Sequence, residues 1–457
     1  MVDRNRCPEP QAAAVRRRLF LAQAGMLGAW AAAPAYAQFR VEVNDLGAAQ
    51  LPIAVAGFSV RGAAVATDLA AIVRNDLDRS GLFRLIDAGQ APVMGLAPPD
   101  FAAWRKRGAD FVVVGDIELL ANGRLAIEAR LWDAVRGGSE PIATLKKSPW
   151  PDGRGTARQF SDVRVAAHEI ADFFYEKLIG ERGVFATRIA FVSKQGSNFA
   201  LVVADSDGDN QQIALRSGQP IISPAWSPDG QTLAFVSYHA QGRPIIYTHQ
   251  VYEAGVQPRA VASFRGSNSA PAWTRSGPQQ IIAALSLDGG SQIYAIDPRG
   301  GSAPRRLTQS SSIETEPYCA PGRPLVYFVS DRRGRSPQIY RMDFEGKTAE
   351  LVTRNGNYNI SPSISPDGKW MAYISLVGSA YRLHLMDLST GESRPLTDTA
   401  ADESPSFSPN SKLILYETRL RGREVLMTST LDGRIRRELA VRGEDIREPD
   451  WGPYLSA

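Results

Sequence analysis

The side chains able to do chemistry are few and scattered. Four histidines occur, His168, His239, His249 and His384, and none stands at metal-ligand spacing from another. His168-Glu169 lacks the second histidine of a zinc-binding helix, so His168 is expected on a helix surface. No Gly-x-Ser-x-Gly elbow is present to seat a hydrolase serine. Gly346-Lys347-Thr348 looks like the end of a phosphate loop, but Arg341 stands where the upstream glycine is required. Asp205-Ser206-Asp207-Gly208-Asp209-Asn210 alternates carboxylates as calcium loops do. Its sixth position is Asn210 and its twelfth Arg216, where such a loop needs Gly and Glu, so it is read as a hairpin turn. No metal and no cofactor are expected. Three further acids, Glu316, Glu403 and Glu448, form the only plausible carboxylate set for a hydrolase or lyase, the alternative to a binding function.

Those acids belong to a repeat. Ser223-Pro224-Ala225-Trp226-Ser227-Pro228-Asp229-Gly230 returns as Ser361-Pro362-Ser363-Ile364-Ser365-Pro366-Asp367-Gly368. Weaker copies place the leading prolines at 224, 271, 317, 362, 405 and 449, a period of 43 to 47 residues. Each copy continues with short β-rich runs, such as Leu325 to Ser330 and Gln338 to Asp343, divided by Gly, Asp and Pro turns. Four strands per period match a β-propeller blade, and no helical periodicity competes. The sixth copy has only its first strand, at Trp451. Its missing strands lie upstream, at Arg188 to Ser193, Phe199 to Asp205 and Gln212 to Leu215. Pairing of C-terminal and N-terminal strands would close a six-bladed ring and remove its open edges. The residues before the prolines are expected in loops around one end of the channel, where a rigid scaffold presents function.

Residues 38–183 have another texture and read as a small α/β domain. Leu51 to Phe58, Leu82 to Ile86, Phe111 to Leu119 and Leu125 to Trp132 look like strands. Thr67 to Arg79 and Arg158 to Ile179 carry apolar residues at helical spacing and end at Gly81 and Gly180. Residues 184–457 then form the propeller. Ahead of both, residues 1–37 have the layout of a cleaved export signal: Arg16-Arg17-Arg18, an apolar run from Leu19 to Ala33, then Ala35-Tyr36-Ala37. Arg17-Arg18-Leu19-Phe20-Leu21 fits the twin-arginine pattern, and the same arginines would equally serve the general route. A membrane anchor is the rival, but Gln23, Pro34 and Gln38 interrupt the apolar run.

Composition narrows the function classes. The chain of 457 residues holds 52 Lys and Arg against 48 Asp and Glu. Residues 1–37 contain five of the arginines and two acids, so the remainder is almost neutral and has no electrostatic footprint for nucleic acid. The mature chain is expected to carry no membrane span. Cys319 is its only thiol, which excludes an internal disulfide and reads as a small buried hydrophobe.

His168 with Asp172 and Glu176-Lys177-Leu178, then Gly180, Gly183, Phe185 and Thr187-Arg188-Ile189-Ala190, together resemble the domain junction of the TolB family. These are the periplasmic propeller proteins of the Tol-Pal envelope system in diderm bacteria. Asp205 to Asn210 followed by Ser223 to Gly230 resembles the first-blade signature of that family, and Gln38 to Asn44 its N-terminal strand. The resemblance implies a non-enzymatic periplasmic coupling protein that supports outer-membrane integrity and constriction at division. It would bind the lipoprotein Pal with one end of the propeller, TolA with its N-terminal segment, and other Tol proteins indirectly. The Pal-facing candidates it implies are Ser267, Asn268, Ala270, Thr315 and Glu316, joined around the channel by Tyr358, Asn359, Glu403 and Glu448. The TolA-facing candidates are Gln38, Phe39, Arg40, Val41, Glu42, Val43 and Asn44. Ser267 departs from relatives that carry His there, and Ala320-Pro321-Gly322-Arg323 departs from the repeat turn. A Glu316→Lys change is expected to weaken lipoprotein capture without unfolding the protein.

Overall fold

The computed structural model describes residues 50–62, 67–89, 95–150, 162–240, 242–253, 255–334, 336–345 and 348–455. The expected export signal, the segment Gln38 to Asn44, and Gly346-Lys347 lie outside the described residues. Among those described, no helix is long and apolar enough to cross a membrane.

The N-terminal sheet is built on Leu51–Val55, which pairs in parallel with Phe83–Leu85 and Phe111–Leu119. Phe111–Leu119 runs on antiparallel to Leu125–Asp133, and that strand to Ala143–Lys147. Helix α1 (Leu69–Arg79) starts at Asp68, whose carboxylate accepts the Ala71 N–H at 3.0 Å. It buries Leu69, Ile72, Val73 and Leu77, the expected face. Helix α2 (Phe101–Lys106) covers the other side of the sheet through Trp104, which shares a core with Trp132. Helix α3 (Asp162–Ile179) lays Val163, Ala167, Ile170, Phe174 and Leu178 into the same core as α1. Six residues contain too little periodicity to announce α2, and Ala143–Lys147 reads Ala-Thr-Leu-Lys-Lys, with no alternation to mark a strand.

Six four-stranded antiparallel sheets follow. Their innermost strands are Ile221–Trp226, Asn268–Trp273, Glu314–Cys319, Asn359–Ile364, Glu403–Phe407 and Asp445–Trp451, which define blades 1 to 6 in that order. Blade 6 joins Asp445–Trp451 to Arg188–Gln195, Asn198–Asp205 and Gln212–Ser217, so the two ends of the propeller segment close the ring. Contacts between neighbouring blades form the core, as where Trp273 and Leu285 of blade 2 meet Val236 and Ile246 of blade 1. Cys319 occupies the position held by Trp226, Trp273 and Trp451 in other blades and is buried. Burial pushes its thiol up to about 12, so it is inert.

Every innermost strand carries the same irregularity. The register shifts beside the repeat proline, and the residue before it is left-handed: Ser223, Ala270, Glu316, Ser361, Ser404 and Glu448, with φ between 48° and 53°. Proline has no N–H to lose from the ladder, so the bulge falls where it costs no donor. The six bulged residues line one recess of about 170 Å³ on the channel axis.

Candidate functional site

The two ends of the propeller differ in what covers them. Turns after the innermost strands, and those between the third and fourth strands of each blade, lie on one face. The N-terminal domain is docked there. Arg79 of α1 donates to the Ser206 carbonyl and hydroxyl, both at 2.6 Å, and Arg437 pairs with Asp78 at 2.9 Å. Lys412 and Glu181 pair at 3.1 Å on the same face. The innermost strands begin at the opposite face, where the described residues of the N-terminal domain make no hydrogen bond or ion pair. The recess opens there.

Three half-buried acids, Glu316, Glu448 and Asp450, line the recess beside Arg275, with Glu403 and Glu417 next to them. The Glu448 carboxylate accepts the Ser223 N–H of the next blade, and Glu316 accepts the Ser361 N–H at 2.6 Å and hydroxyl at 3.0 Å. Burial pushes both carboxyls above their ordinary range, against the pull of those serine donors. Glu417 accepts the Glu448 N–H at 2.9 Å and is pushed up to about 7 by burial, with the charges of Glu403 and Glu448 adding to the shift. The exposed Glu403 is raised by partial burial, with Arg447 opposing. Below them Arg275 faces Asp450 and Tyr318, its guanidinium 5.5 Å from the Tyr318 ring.

The structure gathers the expected propeller residues on one face but corrects how they sit. Asn268, Ala270, Thr315, Glu316, Asn359, Glu403 and Glu448 lie on the innermost strands, not in loops, because the strand begins before the bulge. Asn268 and Asn359 are buried, and their amides tie loop carbonyls: Asn268 reaches Phe264 at 2.9 Å and Pro244 at 3.0 Å, Asn359 reaches Asn355 at 2.9 Å. Their side chains hold loops in place and do not face outward. Ser267 is exposed, and Tyr358 stacks edge-on against Tyr381 at 6.0 Å. Glu316→Lys would also break the tie to Ser361 between blades 3 and 4, so the expectation of an undisturbed fold is corrected. Sequence reasoning missed Glu417 and Asp450. Neither stands before a proline, and only the antiparallel register brings Glu417 opposite Glu403.

A second cluster lies where the two domains meet, and it overturns the surface position expected for His168. That side chain is 1% exposed. Its Nδ1 is 2.6 Å from Asp76 of α1, and its Nε2 is 3.4 Å from Asp205 of blade 6. Arg164 reaches Asp205 at 3.0 Å, Asp207 at 2.6 Å and Asp209 at 3.2 Å, and Arg188 also pairs with Asp205. Asp207 is held below the usual carboxylate range: burial pushes it up, but the charges of His168, Arg79 and Arg164 outweigh that. Asp76, His168 and Asp207 come close enough to offer a metal three ligand atoms. Arginines already occupy these carboxylates, however, so the charge a cation would supply is present. Asp205 to Asn210 forms the expected turn, closed by the Gly208 N–H on the Asp205 carbonyl at 2.8 Å.

The remaining junction residues have plain duties. Asp172 accepts the Phe185 and Ala186 N–H groups at 2.7 and 3.0 Å, and a Cβ at Gly183 would lie 2.2 Å from its carboxylate. The Thr187 hydroxyl accepts the Trp451 indole N–H at 2.9 Å, fastening the C-terminal strand.

The family model described as the TolB beta propeller domain matches residues 175–455, and that of the TolB amino-terminal domain matches residues 39–139. The sequence is 45% identical over 439 residues, 95% of each chain, to the Tol-Pal system protein TolB of Bordetella pertussis. It shares 53% identity over 432 residues with the Tol-Pal system protein TolB of Polaromonas naphthalenivorans, covering 93% of this chain and 95% of that relative. The crystal structure of TolB from Acinetobacter baumannii is similar with a TM-score of 0.77 at 32% identity, covering 89% of this chain and 98% of that one.

Proposed function

The chain belongs to the TolB family, and from that membership we propose that it is the propeller component of a Tol-Pal envelope assembly. It works in the periplasm, holds the lipoprotein Pal at the open mouth of the propeller and engages TolA through Gln38 to Asn44. Other Tol proteins join through those two. The assembly supports outer-membrane integrity and constriction at division, and the chain itself breaks no bond. One observation carries this reading: a rigid recess opens on the face away from the N-terminal domain, walled by six identical bulges. A mouth held open by ring closure suits binding, because little conformational freedom is lost on association. Glu316 and Glu448 are each held by a main-chain amide of the next blade. That duty argues against the hydrolase or lyase alternative.

The test is calorimetric. Residues 38–457 are titrated with lipid-free Pal of the same organism and, separately, with the periplasmic part of TolA. Saturable binding of both, with loss of TolA alone after deletion of residues 38–44, is the expected result. Absence of Pal binding would overturn the proposal.

A further inference from the structure

Exposed arginines surround the open mouth. Arg265, Arg333, Arg354, Arg421, Arg423 and Arg442 stand in or beside the loops that close the blades on this face. Among the described residues, none of the six has an ion-pair partner. The acids of the same loops are mostly engaged at home. Asp288 pairs with Arg306 at 3.1 Å, Asp331 accepts the Ile313 N–H at 2.8 Å, and Asp398 pairs with Arg436. Asp402 is buried beneath the hydroxyls of Thr397, Thr399 and Thr418. Balancing aspartates such as Asp229, Asp297, Asp367 and Asp432 lie in turns on the docked face.

Inside this basic rim the surface changes twice. Ile313, just before the innermost strand of blade 3, is 59% exposed and Val377 of blade 4 43%, and with the Tyr358–Tyr381 pair they give blades 3 and 4 an apolar patch on this face. On the channel axis lies the acidic recess. A bilayer or a uniform polyanion could meet the rim, but it would face the recess with charge of the same sign. A folded protein can match all three zones. We infer that the occupant of the mouth is a protein domain that sets aspartates and glutamates on the arginine ring. Into the recess it places an uncharged or cationic tip. This rests on the mouth being the lipoprotein's seat, and it adds the charge pattern that the partner's surface must carry.

The experiment reverses the rim and varies the salt. A variant of residues 38–457 carrying Arg265→Glu, Arg333→Glu, Arg354→Glu and Arg421→Glu is compared with wild type and with Arg299→Glu, which alters an exposed arginine on the docked face. Circular dichroism and thermal unfolding check that each remains folded. Titrations use lipid-free Pal, hexaglutamate, hexalysine and phosphatidylglycerol vesicles. Wild type should lose roughly tenfold or more in affinity for Pal between about 0.05 and 0.5 M salt, through screening of the rim. The fourfold variant should bind roughly tenfold or more weakly with a flattened salt dependence, and Arg299→Glu should match wild type. Hexaglutamate should bind wild type weakly and the variant not at all, and hexalysine should not depend on the rim. Pal affinity that ignores both salt and reversal overturns the ring while leaving the lipoprotein reading intact. Rim-dependent hexaglutamate binding without Pal binding does the opposite. Vesicle capture abolished by the reversal, alongside unchanged Pal binding, assigns the ring to lipid and also overturns the inference.

Discussion

The two faces of the propeller use the same strands for opposite ends. On the docked face, charges neutralise one another. Asp76, Asp205, Asp207 and Asp209 meet Arg79, Arg164, Arg188 and His168, and almost all of this is buried. On the open face, charges are segregated: acids line the recess, and six arginines without an ion-pair partner among the described residues surround it. Neutralised burial fastens two domains together, whereas segregated charge is unfinished until something else arrives. The repeat makes this division possible. Successive connections of each blade alternate between the two faces, so the residues of those connections decide what each face presents.

Substitutions at the junction should therefore cost stability, and those at the mouth that spare the ties between blades should cost little. The largest effect is expected for Asp205→Ala. It leaves Arg164 and Arg188 without their shared carboxylate and should destabilise the protein by about 3–5 kcal/mol in urea unfolding. Cleavage by protease in the linker 180–187 should rise with it. A loss below about 1 kcal/mol would mean that the domains are joined by packing alone. Gly183→Ala comes next, at about 1–3 kcal/mol, because the added methyl must displace the Asp172 carboxylate that holds Phe185 and Ala186. Unchanged stability there would show that the linker moves aside freely.

At the mouth the informative variable is pH. Glu417 has a carboxyl raised to about 7, well above an exposed glutamate, so folding favours its protonated form. That contribution is complete below about pH 4.5 and is lost as pH rises through about 7. Glu417→Gln should therefore gain about 1–2 kcal/mol over wild type at pH 8 and nothing at pH 4, as read by denaturant unfolding at each pH. An equal effect at both would contradict the raised carboxyl of Glu417. The smallest effect is expected for Ser404→Gly. Its left-handed backbone at φ 50° suits glycine, and stability should change by less than about 1 kcal/mol. A large loss would reveal a contact of the Ser404 hydroxyl that holds the ring.

Much of this architecture can be read in the chain because the repeat writes it six times. The proline period gives the blade count, and the missing strands of the last copy give the closure. The bulge is not legible. A residue before proline is expected to be extended, and only the ladder shows it turned into the left-handed region. His168 misled for another reason. On its own helix it looks like one more polar residue, while the acids that surround it are Asp76 and Asp205, 92 residues before it and 37 after. Asn268 and Asn359 lie near the mouth, but sequence could not show that their amides turn inward to the loops. Pairings closed by tertiary contact leave no local pattern.

Hydrogen–deuterium exchange of residues 38–457, with and without saturating Pal, compares the two faces in a single measurement. Protection should appear in the open-face loops 263–267, 331–334, 354–358 and 442–444, with the turns 205–211 and 431–435 of the docked face unchanged. Protection confined to those docked-face turns, with open-face loops exchanging as before, would place the partner on the wrong side of the ring and contradict the division of labour drawn between them.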